Sequence, residues 1–225
     1  MEGRLIDPDE LDEGIKDVLR LILNFIDNHL GKTEEVRFER RNVSGLVKSF
    51  YQQRFWSSLY SAKKSLYNRK LKIEEHINDM ENEENTFNFD EDTFSKFKIG
   101  EKENISKQRR KMILDVANNE MGALNSLIKK VEEIFPQNEE ELGNFDPKMK
   151  AITKLVEENL AKKNKIILFS RFTDTLDFAI NTVVTNLEIK SYGKFTGDDR
   201  EFYSYGSNEI NLTREEIREK LDSGQ

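Results

Sequence analysis

The spacing of apolar residues along the chain predicts helices over most of its length. From residue 9 to 30, one helical face collects Leu11, Ile15, Val18, Leu19, Ile22, Phe25, Ile26 and Leu30. Gly31 follows at the place where a glycine commonly ends a helix. The helical period returns from residue 42 to 80 and from 105 to 135, where Pro136 stops it. Two helices of about thirty residues joined by a loop predict a long antiparallel hairpin.

The pattern changes after residue 146. Helical spacing over 148–161, 173–186 and 214–221 alternates with short apolar runs at 165–169 and 188–192. Runs of this kind predict buried parallel strands joined by a right-handed crossover. The predicted fold is therefore mainly α with a partial α/β lobe. Its segments are an N-terminal helix (1–36), the helical hairpin (37–136) with an acidic loop near 79–103, a linker (137–145) and the lobe (146–225).

The amino-acid composition of the chain excludes several classes of functional site. The chain has no cysteine, which excludes disulfides and cysteine-bound zinc, and its two histidines, His29 and His76, fall on different predicted helices. Both are predicted at helix surfaces or boundaries rather than in a metal or catalytic site. No apolar run approaches the ~20 residues of a membrane span, and the N-terminus lacks the apolar region of a signal peptide. The sequence predicts a cytoplasmic protein without membrane contact.

The charge of the chain is segregated. The net charge is −7, but seven acids and no Lys or Arg lie between residues 79 and 92, whereas ten bases and one acid lie between 37 and 72. Within the basic segment, aromatic residues interleave with candidate phosphate-binding cations: Arg54, Lys63, Lys64, Arg69, Lys70 and Lys72. Such a face can bind phosphates and stack bases. The alternative is a solvated face whose aromatics pack on the neighbouring helix.

Two short motifs imitate nucleotide sites. Gly31-Lys32-Thr33 matches the end of a phosphate-binding loop, but the required earlier glycine is Ile26 and the tripeptide follows a helix instead of a strand. Asp90-Glu91-Asp92 has the composition of a metal-binding acidic box without the apolar strand that would hold it. A helix stop and a solvated acidic loop are the favoured interpretations.

Two segments carry a family resemblance. Arg54, Phe55, Ser57, Ser58 and Ala62 match a helix found between the two motor lobes of Swi/Snf-type superfamily 2 ATPases, with Gln53 in place of the usual lysine. Asp146-Pro147-Lys148, Ile167 to Thr175, Gly193 and Thr196-Gly197 resemble the opening of the second RecA-like lobe, where Arg171 replaces a usual glutamine. The matching regions are approximately 42–78 and 146–225.

The resemblance implies a fragment of an ATP-dependent helicase or translocase acting on nucleic acid, with duplex DNA favoured over RNA. Its implied backbone contacts are Ser170, Arg171, Thr196 and Gly197. The charge of the basic segment adds a second set of expected phosphate contacts: Arg54, Lys63, Lys64, Lys70 and Lys72. Ser170 to Asp174 also suit a helix N-terminus.

The same resemblance implies that ATP and Mg²⁺ belong to the parent protein. No catalytic residue and no cofactor are expected in the fragment. Its expected partners are the missing first lobe, nucleic acid, and a second copy pairing through the truncated parallel sheet. The alternative function is a non-enzymatic helical adaptor that binds a protein partner.

Overall fold

The computed structural model describes residues 11–38, 41–82, 106–197, 200–204, 207–210 and 212–223. They form two compact units that divide between residues 135 and 136. Of the described residues, 74% are helical, and a small antiparallel sheet of three strands supplies the other regular structure. The prediction of a mainly α protein is confirmed at this level.

The first unit, called the helical unit below, contains five described helices: α1 (Glu13–Asn28), α2 (Lys32–Phe38), α3 (Arg41–Phe55), α4 (Leu59–Glu81) and α5 (Lys107–Ile134). Helix α1 begins where the Asp12 side chain accepts hydrogen bonds from the backbone N–H groups of Gly14 and Ile15. It buries the predicted apolar face. Gly31, with φ of +80°, lies in the turn to α2, where a side chain would approach the Ser44 backbone at 3.1 Å.

Helices α4 and α5 pack against each other along the core of this unit. Their buried apolar residues include Ile73 and Met80 on α4 and Ile113 and Leu124 on α5. The helix predicted over 42–80 is interrupted at residues 56–58, because Ser58 caps α4 by accepting from the Ser61 N–H at 3.0 Å. Residues 83–105, which include most of the acidic loop near 79–103, lie outside the described part of the chain.

The second unit, called the C-terminal unit below, contains α6 (Glu139–Phe145), α7 (Pro147–Ala161), α8 (Thr173–Leu187), β1 (Ser191–Phe195), β2 (Arg200–Ser204), β3 (Ser207–Ile210) and α9 (Arg214–Ser223). The prediction of a linker at 137–145 is wrong, because this segment contains α6. Asn138 caps that helix, and Leu142 and Gly143 are buried. Since α6 is only seven residues long, its apolar pattern is too short to have a visible period.

The sheet differs from the predicted one. The strands pair in the order β1-β2-β3, antiparallel throughout, with Gly193 opposite Phe202 and Phe202 opposite Glu209. The strand predicted at 188–192 begins three residues later, because α8 extends to Leu187 and Glu188 ends it in the left-handed conformation with φ of 48°.

The run at 165–169, predicted as a buried parallel strand, forms neither helix nor strand. Its side chains face solvent: Ile167 is 77% exposed and Phe169 is 87% exposed. A parallel strand needs neighbours at its edges and cover on both faces. Within the described residues β1 pairs with β2 instead, so the predicted parallel arrangement is not formed there.

Close packing of α6 on α8 generates a prediction at Gly143. A Cβ at this position would fall on the Thr182 hydroxyl and lie 2.8 Å from its Cγ2. Because Thr182 is buried and its hydroxyl already donates to the Phe178 carbonyl at 2.8 Å, it has little room to move. We expect Gly143→Ala to lower the unfolding free energy of this unit by about 1–3 kcal/mol in chemical denaturation.

Gly122→Ala is the matched control. Among the described residues nothing lies within 4 Å of a Cβ at Gly122, which is inside α5. Helix propensity alone should then raise stability by about 0.5–1 kcal/mol. If the two variants changed stability equally and in the same direction, the packing of Gly143 on Thr182 would be refuted.

Candidate functional site

The cations predicted to bind phosphate share one part of the helical unit but differ in their surroundings. Arg54 at the end of α3 donates from Nε to Ser65 Oγ at 2.8 Å, and its guanidinium lies 5.8 Å from the Phe50 ring centre. Lys64 is exposed, with Nζ 5.9 Å from the Tyr60 ring centre. Lys63 is half-buried on the same turn. These residues form a cationic surface at the α3–α4 junction.

Lys70 and Lys72 lie further along α4 beside acids of the same helix. The Lys72 ammonium is 2.6 Å from Glu75, and the Lys70 ammonium is 4.0 Å from Glu74. Each of these two lysines is therefore partly neutralised by a carboxylate of its own helix.

Arg69 does not belong to this surface. The sequence places it among the candidate phosphate-binding cations, but it is 1% exposed and lies in the core. Its Nη1 and Nη2 atoms donate to the two oxygens of Glu34 on α2, at 2.5 and 2.8 Å, and its Nε donates to Glu120 on α5 at 2.7 Å. One guanidinium thus joins three helices.

The remaining oxygen of Glu120 is also occupied. Thr33 on α2 donates its hydroxyl to Glu120 Oε2 at 2.7 Å. The Lys32-Thr33 motif therefore directs its hydroxyl into the core, where the threonine is fully buried, and not toward a bound nucleotide. This geometry supports the interpretation of Gly31-Lys32-Thr33 as a helix connection.

A second group of charges continues the network on the other side of Glu34. Arg37 on α2 donates from Nη1 to Nδ1 of His76 at 2.7 Å, and its Nη2 is 3.6 Å from Asp79. His76 Nε2 is 3.6 Å from Glu34 Oε1. His76 is 1% exposed, so its predicted surface position is wrong, whereas His29 is half-buried at the end of α1. We refer to Thr33, Glu34, Arg37, Arg69, His76, Asp79 and Glu120 as the buried charge network.

Burial and charge set the protonation states of the network. Burial alone would raise the pKa of Glu34, but the charge and hydrogen bonds of Arg69 outweigh it and hold that pKa well below its usual range. Burial raises the pKa of Glu120, whose attraction to Arg69 is offset by repulsion from Glu34. The two carboxylates keep the pKa of Arg69 well above its ordinary value despite its burial. Burial and the nearby arginines lower the pKa of His76.

The network offers no access for a substrate, because Glu34, Arg69, His76 and Glu120 are each at most 3% exposed. Its hydrogen bonds and ion pairs connect α2 to α4 and α5, which is a structural role. Buried ion pairs contribute little net stability compared with apolar residues, but they are costly to break. The network therefore specifies how α2 sits against α4 and α5.

The other predicted nucleic-acid contacts lie in the C-terminal unit. Ser170 accepts the Phe172 N–H at 3.2 Å and donates to the Phe172 carbonyl at 3.0 Å, so its hydroxyl organises the turn before α8. Arg171 is exposed beside the Phe172 ring, at 5.9 Å. Thr196 and Gly197 follow β1, one half-buried and the other exposed. Lys194 on β1 is 2.8 Å from Asp177 on α8, which ties the strand to the helix.

An open groove of about 620 Å³ lies on the C-terminal unit. Its lining combines apolar, charged and aromatic side chains: Val184, Thr185, Glu188, Ile189, Lys190, Tyr192 and Tyr203. The two tyrosines are cross-strand partners with stacked rings 5.4 Å apart. None of the residues predicted to contact nucleic acid lines this groove.

Comparisons with protein-family models, with curated proteins and with solved structures gave no match. In the described parts of the chain, no helix combines the length and apolar character needed to cross a membrane. The same parts contain no group of three or more His, Cys, Asp or Glu side chains placed to hold a metal ion.

The buried charge network predicts an unequal response to mutation on one helix. Arg69→Met removes the cation and leaves Glu34 and Glu120 facing each other in the core, which should cost about 3–5 kcal/mol of unfolding free energy. The control Lys64→Met, exposed on the same helix, should change stability by less than about 0.5 kcal/mol. Chemical denaturation of both variants measures the difference.

A triple variant tests the reason for that loss. Replacing all three charges together, as Glu34→Leu, Arg69→Met and Glu120→Leu, should recover most of the stability because no uncompensated carboxylate remains. An Arg69→Met variant as stable as Lys64→Met would contradict the buried position of the guanidinium.

Proposed function

We propose that this chain provides nucleic-acid contacts and lobe coupling in an ATP-dependent helicase or translocase of the Swi/Snf type, with duplex DNA as the favoured substrate. The observation that carries the proposal is the cationic surface at the α3–α4 junction. Lys64 is exposed there, Lys63 and Arg54 are half-buried beside it, and no acid occurs in the sequence from residue 40 to 73.

Aromatic residues accompany these cations. Tyr60 lies beneath Lys64, and Trp56, in the turn between α3 and α4, is 39% exposed. A groove or face that combines cations with accessible rings can contact both the phosphates and the bases of nucleic acid. This combination is the main support for a nucleic-acid partner over an unspecialised solvated face.

The proposal assigns residues 146–225 to part of a RecA-like lobe. In such a lobe the run at 165–169 becomes a central strand, with Ser170 and Arg171 at its carboxyl end near the nucleic-acid backbone. The exposure of Ile167 and Phe169 supports this assignment, because an apolar run of this kind is expected to be covered by further strands. ATP and Mg²⁺ would be held by the parent protein, where hydrolysis is phosphoryl transfer to water.

A second candidate function is a helical adaptor that binds a protein partner. The same exposed apolar run favours it, because contiguous apolar surface commonly marks a protein interface. The two functions differ in the region that binds. A nucleic acid would contact the α3–α4 junction, whereas a protein partner would cover residues 166–169.

A salt titration of duplex DNA binding tests the first proposal. Since each phosphate contact releases counterions, log Kd should change linearly with log salt concentration, and Lys63→Gln and Lys64→Gln should each reduce the slope by about one unit. Fluorescence anisotropy with a labelled duplex measures this slope.

Arg20→Gln on α1 is the matched control. Arg20 is 68% exposed and lies 2.9 Å from Asp17, so its removal changes the net charge equally without touching the α3–α4 junction. Equal effects of Arg20→Gln and Lys64→Gln would indicate general electrostatic attraction. No binding by the folded protein at about 50 mM salt would reject the nucleic-acid proposal, since weak phosphate binding is strongest at low salt.

A further inference from the structure

The geometry around His76 fixes which nitrogen of its ring carries the proton. Arginine only donates hydrogen bonds, so Nδ1, 2.7 Å from Arg37 Nη1, must accept and is unprotonated. In the neutral ring the hydrogen is therefore on Nε2, the atom that faces Glu34 Oε1 at 3.6 Å. His76 thus sits between a donor on one side and a carboxylate on the other.

The buried residues of helix α2 are all polar or charged. It has only seven residues, and its three buried positions are Thr33, Glu34 and Arg37. A helix this short has little stability of its own and requires tertiary contacts. Because the contacts of its buried side chains are hydrogen bonds and ion pairs, a change in one protonation state alters several of them.

We propose that His76 is an acid-sensitive latch: proton uptake by its imidazole ring breaks the hydrogen bond from Arg37 and loosens α2 from α4 and α5. This inference is independent of the nucleic-acid function proposed above.

The effect of proton uptake follows from which nitrogen of the His76 ring donates a hydrogen bond and which accepts one. A proton on Nδ1 points at the Arg37 N–H, so two donors and two positive charges oppose each other at 2.7 Å. The imidazolium is instead attracted to Glu34, and Arg37 retains Asp79, 3.6 Å away. Proton uptake therefore exchanges an α2–α4 hydrogen bond for a rearranged set of ion pairs.

The charges around His76 come from every helix packed on it. Those that act on the ring directly are Glu34 and Arg37 on α2 and Arg69 and Asp79 on α4. One step further away, Glu75 on α4 acts on Asp79, Glu120 on α5 pairs with Arg69, and Arg109 on α5 donates to the Arg37 carbonyl at 2.6 Å. Glu34 and Asp79 favour the charged ring, whereas burial and the arginines oppose it. The net effect is a His76 pKa below its ordinary value of 6.5.

The sign of the pH effect follows from that direction. Between the folded-state pKa and 6.5, the unfolded chain binds the His76 proton and the folded chain does not, so acid favours unfolding. The folded-to-unfolded ratio should fall by up to about tenfold per pH unit as the pH drops below 6.5. Glu120, whose pKa is raised, contributes with the opposite sign, so the effect of His76 must be isolated by mutation.

The variant His76→Asn isolates the contribution of His76 to the pH dependence of stability. The Asn side chain can place an acceptor near the Nδ1 position and does not titrate, so the Arg37 hydrogen bond can persist at all pH values. We expect the wild-type protein to lose stability to denaturant between pH 7.5 and 5.5 more steeply than His76→Asn, by up to about tenfold in the folding equilibrium constant over the range. Amide hydrogen exchange of the wild type should accelerate earliest in residues 32–38.

NMR titration of the two imidazole rings gives a second measurement that does not require a variant to fold. His29, half-buried at the end of α1, serves as the internal comparison. The latch predicts an Nε2–H tautomer for His76 at pH 7.5. It also predicts that amide shifts in residues 34–38 follow the titration of His76 and not that of His29.

Two results would overturn the latch. One is an identical pH dependence of stability in the wild type and His76→Asn. The other is an Nδ1–H tautomer at pH 7.5, because that ring could not accept from Arg37. If His76→Asn fails to fold, the tautomer and the response of residues 34–38 in the wild type still decide the question.

Discussion

The helical unit is organised around a charge that cannot leave the core. Arg69 is 1% exposed, and its guanidinium donates to Glu34 on α2 and to Glu120 on α5. A buried cation is tolerated only when its donors are satisfied, so the three helices must meet with these groups in register. Burial of the apolar faces of α1, α4 and α5 supplies the main driving force for folding. The ion pairs of Arg69 determine where α2 packs against α4 and α5.

Periodicity predicted most helices of this chain, since the apolar faces of α1, α4 and α5 repeat with the helical period. It failed for Arg69 and His76, because both were predicted at the surface and both are 1% exposed. The partners of Arg69 are 35 and 51 residues away along the chain, a distance that no local pattern spans. A signal was nevertheless present: Arg69 and His76 continue the apolar series Ala62, Leu66, Ile73 and Met80, and Glu120 lies between Ile113 and Leu124 on α5.

In the C-terminal unit, the apolar pattern predicted a buried strand that the structure does not form. The apolar run at 165–169 has the composition of a buried strand, yet it is exposed and unpaired with any described strand, because strand formation depends on neighbours that local sequence does not provide. No sequence signal indicated β3, because Ser207, Asn208 and Glu209 are polar in succession and lack the alternation typical of a half-buried strand. Of the predicted contacts, the α3–α4 junction gathers Arg54, Lys63 and Lys64, whereas Ser170 organises its own turn. The proposed function therefore relies mainly on the cationic surface.

Side-chain proton exchange at Arg69 tests the central claim most directly, since it reports the burial of one guanidinium in the unaltered protein. By NMR, the Nε–H of Arg69 should exchange with water as slowly as the core amides of α4, because both require opening of the helical unit. Arg20, 68% exposed on α1, provides the fast reference. An Arg69 Nε–H that exchanges as fast as that of Arg20 would contradict the account, because Arg69 would then lie at the surface and could not join α2 to α4 and α5.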